Sequence, residues 1–384
     1  MKSSVGFNLN SQKKYIKKIG LAASVIIMTA AVNCFPYLKS IRKNVLVRIA
    51  VVCRADSVRI SGFKGKRFCK NYTVFPNSKL PLYFSAGDDA VVVNGKRYRG
   101  AVEVEEIGGK LWVRNIVNIE DYLKGVVPCE IGKIFSKTIE AAKAQAVAAR
   151  TYAYAHLGQH EELGFDLYAT VQDQVYNGIS CESDFTTLAV EQTKGQILVY
   201  HNRPIEAKYH STCGGRTADF NDAWPGTPPP YLQSVKCPYC KKSPHYAWQK
   251  IFTRKEFFIH LRNGLKKISR DIPDDELIKK LLFVKNKRSK RVKRMIILTE
   301  KNKYTIPGYE IRRVFGDDHD PGGLLKSNFI ELKSRGDSII IEGKGFGHGV
   351  GMCQFGALEM AEQGKTYREI LYHYFPGTKI IKIR

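Results

Sequence analysis

Glu130 sits in Val126-Val127-Pro128-Cys129-Glu130-Ile131-Gly132, a carboxylate among apolar neighbours. Desolvation disfavours the charged form and raises the pKa of a carboxylic acid. A raised pKa lets the acid hold a proton near neutral pH and donate it, as an acid that protonates a glycosidic oxygen must. The same residue also reads as an ordinary surface carboxylate at a strand-to-helix junction. Its neighbour Cys129 offers a different chemistry, a thiol nucleophile with His348 or His210 as base, although no spacing fixes that pairing.

A second cluster is rich in sulfur. His210-Ser211-Thr212-Cys213-Gly214-Gly215 is followed 24 residues after Cys213 by Cys237-Pro238-Tyr239-Cys240, with His245 five residues further on. A Cys-x-x-Cys pair brings two thiolates within reach of one ion, and Cys213 with His210 or His245 would complete the tetrahedral set that Zn²⁺ prefers. A disulfide, a redox pair or free thiols are the other readings of the same spacing. Lys236, Lys241 and Lys242 would favour the thiolate form in each case.

Two further stretches carry polar groups on special backbone. Gln172-Asp173-Gln174-Val175-Tyr176-Asn177-Gly178 gathers amides, a carboxylate and a phenol before a turn glycine, a set suited to hydrogen bonding sugars or to an ordinary polar loop. From Gly343 to Ala357 the chain reads GKGFGHGVGMCQFGA, six glycines with one His, one Cys and one Gln between them. Glycine at that density weakens any core element. It suits backbone that turns sharply or passes close to another surface.

The elements that must hold these groups are mixed. Val45–Val52, Leu82–Phe84, Ala90–Val93 and Leu111–Val113 read as short strands, with Asn94-Gly95 as a hairpin turn. An alanine-rich helix is expected over Thr138–Leu157, and further helices over Phe185–Thr193, Arg254–Lys266, Gln354–Gln363 and Tyr367–Tyr374. Gln196–Tyr200, Ala207–His210, Met295–Leu298 and Ser338–Ile341 read as strands. The expected class is α+β, with mostly antiparallel strands, and the body divides into a β-rich part at 44–115 and a core at 116–384.

The 384-residue chain carries a net charge of +26, which favours a polyanionic partner or surface. Nucleic acid is set aside, because the basic runs at 236–242 and 285–294 lack interleaved aromatics and no helix-turn-helix, zinc-finger array or RNA-binding signature occurs. Residues 19–38 carry no charge and follow Lys13, Lys14, Lys17 and Lys18, the pattern of a signal anchor or a cleaved signal peptide behind a cytoplasmic tail at 1–18. The body is therefore expected outside the cytoplasmic membrane, where some of the nine cysteines could be oxidised.

Five ordered stretches resemble the stage II sporulation protein D / amidase-enhancer family, from about Val45 to the C-terminus. They are Tyr122–Glu130, Glu140–Tyr152, Asp173–Gly178, Tyr209–Gly215 and Gly343–Ala357. The resemblance implies a lytic transglycosylase that cleaves MurNAc–GlcNAc β-1,4 bonds of peptidoglycan strands stripped of stem peptides, leaving 1,6-anhydro-MurNAc ends. It places the catalytic acid at Glu130, and substrate contacts at Arg150, Asp173, Gln174, Tyr176, Ser211, Thr212, Gly347, His348, Gly349 and Gln354. Some members carry zinc, which implies a structural metal at Cys213, Cys237, Cys240 and His210 (or His245). The amidase-enhancer branch implies the alternative of a non-catalytic glycan binder that stimulates, or is supplied by, a cell-wall amidase. Cys129, Cys213 and Cys353 depart from the residues usual at their positions.

Overall fold

A computed structural model describes residues 45–383 of the protein. The basic tail and the apolar segment at 19–38 lie outside the described residues. Among the described residues no helix is long and apolar enough to cross a membrane. Seven helices and five sheets make up the described chain, an α+β fold as expected. Two short ladders are parallel, Ile49–Ala50 with Leu167–Tyr168 and Tyr209–His210 with Met352–Cys353. The remaining ladders are antiparallel.

The largest sheet has nine strands, and its members alternate buried and exposed residues, as in Val58–Lys64 and Leu82–Ser85. Strand Lys110–Asn118 runs through its interior and passes directly into helix α1, Ile119–Ile131. Asn118 caps that helix, its Oδ1 accepting from Glu120 N–H at 2.9 Å, with Glu120 and Asp121 favourably placed in the first turn. Here the structure corrects one of the two sequence readings of Glu130, that of a surface carboxylate at a strand-to-helix junction. Pro128 misled that reading, since proline normally ends a helix. It is tolerated here in the last turn, and Gly132 at φ 77° stops the helix by donating its N–H to the Pro128 carbonyl. Glu130 thus rides on the final turn of a helix launched from the sheet.

Helix α2, Ile139–Ala155, is the expected alanine-rich helix, and thirteen of its seventeen residues are buried. A helix buried on nearly every side belongs inside a core. It packs between α1, helix α3 (Asp184–Gln192) and strand Gln196–Tyr200. Its one charged interior residue, Arg150, is wholly buried and forms two hydrogen bonds with Glu120, Nε to Oε1 at 2.9 Å and Nη2 to Oε2 at 2.7 Å. Arg150 also donates to the Gln196 and Val190 carbonyls, and Glu120 Oε1 accepts from Gly195 N–H. One ion pair therefore joins both long helices to the end of α3 and the strand after it.

A second apolar core lies in residues 247–344. Helix α4, Arg254–Lys266, covers a three-stranded sheet of Ala247–Thr253, Ser338–Lys344 and Ile330–Arg335. A second three-stranded sheet, 278–307, and the one-turn helix α5, Ile311–Val314, complete it. This unit begins and ends at one place, because Ala247 pairs with Lys344. The chain then returns to the main body through the glycine run, helix α6 (Gln354–Glu362) and helix α7 (Tyr367–Tyr374).

Replacing Arg150 leaves a buried carboxylate without its partner. Arg150→Leu is expected to lower the unfolding free energy by about 3–5 kcal/mol. The double variant Glu120→Leu/Arg150→Leu should recover most of that loss. Chemical denaturation of the three proteins measures both, and equal stability of Arg150→Leu and the unmodified protein would remove the pair from its structural role.

Candidate functional site

A groove of about 420 Å³ opens where the last turn of α1, the 171–175 loop, residues 208–211 and the glycine run converge. Close backbone approach builds it. A Cβ on Gly125 would stand 2.6 Å from the Tyr176 ring, so glycine there lets α1 meet the loop that follows Asp173. A Cβ on Gly351 (φ +74°) would stand 2.1 Å from the Lys208 carbonyl oxygen, so glycine also lets the 343–357 run lie against residues 208–213. The parallel pairing of Tyr209 with Met352 and of His210 with Cys353 follows from that contact.

Glu130 lines the groove. Its Oε1 accepts the Val175 N–H at 2.7 Å, and its carboxyl also meets the side chains of Gln354 and Tyr209. Burial pushes the carboxyl up to about 7, against the pull of these three partners. Tyr209 is held in turn by Gln174, whose Nε2 donates to the Tyr209 hydroxyl at 3.0 Å and to the Ala149 carbonyl at 3.2 Å. Tyr122 hydroxyl donates to Gln174 Oε1 at 3.1 Å. A buried polar relay thus fixes the environment of one acid.

Six of the expected site and substrate residues line the groove, namely Glu130, Asp173, Ser211, Gly347, His348 and Gln354. The other five do not, and their positions give the reasons. Arg150 is committed to Glu120. Gln174 is fully buried and holds Tyr209. Tyr176 is buried, and its hydroxyl donates to Asn115 Oδ1 at 2.9 Å. Thr212 is buried, its hydroxyl bonded to that of Ser243 at 2.6 Å. Gly349 packs against Arg291, whose guanidinium would lie 2.4 Å from a Cβ there.

The second carboxylate of the groove, Asp173, accepts from the Tyr152 hydroxyl at 2.9 Å and from Tyr168 N–H at 2.8 Å. Its lone pairs hold the loop in place. His348 is also fully engaged. Its Nε2 donates to the Tyr209 carbonyl at 2.8 Å and its Nδ1 accepts from Val350 N–H at 3.1 Å. Burial holds it well below the usual histidine range, so it stays neutral and presents its ring, which packs against Trp224 with centroids 4.9 Å apart. Neither His348 nor the surroundings of Cys129 favour a thiol nucleophile. Burial pushes the Cys129 thiol up to about 12, and neighbouring Cys181 adds to the rise.

Sequence reasoning missed Lys208, Trp224 and Arg312 as lining residues. Lys208 Nζ lies 4.8 Å from the Tyr152 ring centroid and 5.3 Å from that of Trp224. A tryptophan just before a proline-rich loop was the available signal for an aromatic platform.

Behind the groove four buried cysteines meet. Ligand atoms of Cys213, Cys237, Cys240 and Cys353 all lie within 4.8 Å of one another. The fourth member is Cys353, where the sequence reading named His210 or His245. The strand pairing explains the change, since Cys353 lies opposite His210 and its Sγ accepts from Cys213 N–H at 3.3 Å. His210 instead bonds the Val350 carbonyl through Nδ1 at 3.1 Å, and the His245 ring packs on Phe346.

Comparison with known proteins bears on this arrangement. The family model described as stage II sporulation protein matches residues 108–200. Stage II sporulation protein D of Bacillus subtilis is 35% identical over 69% of this chain and 74% of its own length. The chain belongs to the stage II sporulation protein D family. An uncharacterised protein of Brachyspira hyodysenteriae is 35% identical over 76% of this chain and 74% of its own. The amidase enhancer of Bacillus subtilis is 28% identical over 98% of this chain and 58% of its own. A model for a domain of unknown function matches residues 239–351, which take in the second core.

The raised Glu130 carboxyl has a consequence for stability. A carboxyl that ionises near 7 in the folded protein and near 4.5 in the unfolded chain stabilises the fold below pH 4.5. That contribution is lost as pH rises to 7. Glu130→Gln, which cannot ionise, is therefore expected to be more stable than the unmodified protein at pH 8, by about 3 kcal/mol. The gain should vanish at pH 4.5. Urea melts at the two pH values test this, and a gain independent of pH would contradict it.

Proposed function

We propose that this protein is a peptidoglycan lytic transglycosylase acting on glycan strands stripped of stem peptides, with Glu130 as general acid and then general base. The observation that carries this reading is Glu130 itself, a single groove carboxyl held near neutral pKa while the other carboxylate, Asp173, is bound to the loop. Protonated Glu130 gives its proton to the glycosidic oxygen as the MurNAc C1–O bond breaks. The electron-poor C1 is then attacked by the C6 hydroxyl of the same sugar, and the carboxylate takes that hydroxyl's proton. The product is a 1,6-anhydro ring, and Glu130 ends protonated, ready for the next cycle. No water is consumed, so the two free carboxylates of a hydrolase are unnecessary. Trp224 and the ring of His348 offer apolar faces for sugar rings.

A structural zinc ion belongs to the same reading. Cys213, Cys237, Cys240 and Cys353 would hold it. A tetrahedral Zn–S₄ set places sulfurs about 3.8 Å apart, and the Cys213 and Cys240 sulfurs lie 3.4 Å apart, well beyond the roughly 2.05 Å of a disulfide. Four protein ligands leave no open position, so the ion would brace the glycine run against residues 213–240 and take no part in the reaction. The 19–38 segment would hold the protein in the cell envelope, beside an amidase that supplies bare strands.

The relative named amidase enhancer favours one other reading, a glycan binder without activity. The two separate on one experiment. Purified protein and its Glu130→Gln variant are incubated with denuded glycan strands, and anhydro ends are sought by mass spectrometry. Product from the unmodified protein alone is expected. Equal product from both, or none from either, would reject the catalytic reading. Because the first step needs the protonated acid, kcat/KM should decline above a midpoint near pH 7. For the metal, elemental analysis should find about one zinc per chain. Cys353→Ser should lower that content and His245→Ala should not; the reverse pattern would restore the histidine ligand.

A further inference from the structure

One cationic residue of the groove has no ionic partner among the described residues. Arg312, on α5, belongs to the 247–344 unit yet lines the groove opposite Glu130's helix. Its Nε donates to the Leu325 carbonyl at 2.8 Å. Among the described residues no carboxylate lies within ion-pairing distance of it. The nearest influential acid, Asp320, is bound to Lys250 at 2.6 Å. Burial and the nearby Arg291 pull Arg312 down to about 10, which still leaves it a cation at neutral pH. The other basic residue of the groove, Lys208, differs in being paired with Glu206 at 3.0 Å.

A partly buried guanidinium without a counter-ion is costly unless something anionic arrives. His210 lines the same groove, and its Nδ1 donates to the Val350 carbonyl at 3.1 Å, so the buried, unpartnered Nε2 of the neutral ring is a hydrogen-bond acceptor. The group that the site lacks is therefore an anion at Arg312. A guanidinium favours a carboxylate or phosphate, which its fork can bind through two parallel hydrogen bonds.

We infer that Arg312 binds a carboxylate of the bound glycan, and that this contact makes the groove selective for sugars whose carboxyl group is free. The inference rests on the glycan reading of the groove. In peptidoglycan the available carboxylate is the lactyl group of MurNAc. It is ionised on a bare strand and becomes a neutral amide when a stem peptide is attached. The 247–344 unit would then supply the discrimination, and the main body the reaction.

The test uses full-length protein carrying Glu130→Gln, so that ligand is not consumed. Three tetrasaccharides are titrated calorimetrically at low salt: a GlcNAc–MurNAc repeat with free carboxylates, the same repeat with them amidated, and neutral chitotetraose. A charge-assisted contact predicts that the free-carboxylate form binds about tenfold to a hundredfold more tightly than the other two. Arg312→Gln should erase that difference and leave chitotetraose binding unchanged, while Arg312→Lys should retain part of the preference. In the otherwise unmodified enzyme, Arg312→Gln should raise KM for bare strands with little change in kcat. A preference that survives Arg312→Gln, or no measurable binding of any of the three, would overturn the inference. A catalytic failure is distinguishable, since it removes anhydro products while the binding preference remains.

Discussion

The buried pair of Arg150 and Glu120 is the constraint on which the architecture turns. It is the only bond set that reaches α1, α2, the end of α3 and the strand after α3 from a single point among the described interactions. A buried ion pair adds little net stability over an apolar pair of the same shape, but it tolerates few geometries. Glu120 lies at the first turn of α1 and Glu130 at the last. Fixing the first turn therefore aims the last one. Asn118 adds the cap that joins this helix to the sheet, and Gly125 allows the 172–178 loop to close over its far end.

The electrostatics of the groove follow from that rigidity. Glu130 is desolvated but still hydrogen-bonded, which raises its proton affinity without stranding it. The residues around it are mostly fixed by one another. Gln174 fixes Tyr209, backbone groups fix His348, and Tyr152 with a backbone N–H fixes Asp173. A preorganised polar surround of this kind need not rearrange when charge develops. The exceptions are the Arg312 guanidinium, which has no carboxylate partner, and His210 Nε2, which has no hydrogen-bond donor.

What could be read in the sequence was what local chemistry encodes. The alanine-rich helix was legible because propensity and close packing act within a few residues. The desolvation of Glu130 was legible because apolar neighbours surround it in the chain itself. The glycine run announced close approach, though not to what. Arg150 was misread because a charge inside a helix shows no partner, and Glu120 lies thirty residues away. Cys353 was seen as unusual but not as a member of the sulfur cluster. Only the parallel pairing of 209–210 with 352–353 brings it there. Arg312 stands in Ile311-Arg312-Arg313, which resembles any basic surface turn until the fold sets it against the groove. The apolar pattern of α1 was hidden behind Pro128, whose effect depends on where in a helix it falls.

The adjacency of Ala247 and Lys344 has a consequence for how such a protein can change over time. A segment whose two ends are neighbours enters and leaves its host at one seam, and here it also bonds the host elsewhere, as Arg291 Nη2 does to the Cys213 carbonyl at 3.0 Å. Its length and contents can vary without pulling apart the helices that carry the acid, because loop-closure entropy grows only slowly with the number of residues enclosed. The seam lies between Cys240 and Gly345, with sulfurs of the cysteine cluster on either side of it. A change confined to that unit would remake the groove wall that holds Arg312, while Glu130 and its polar relay stayed in register.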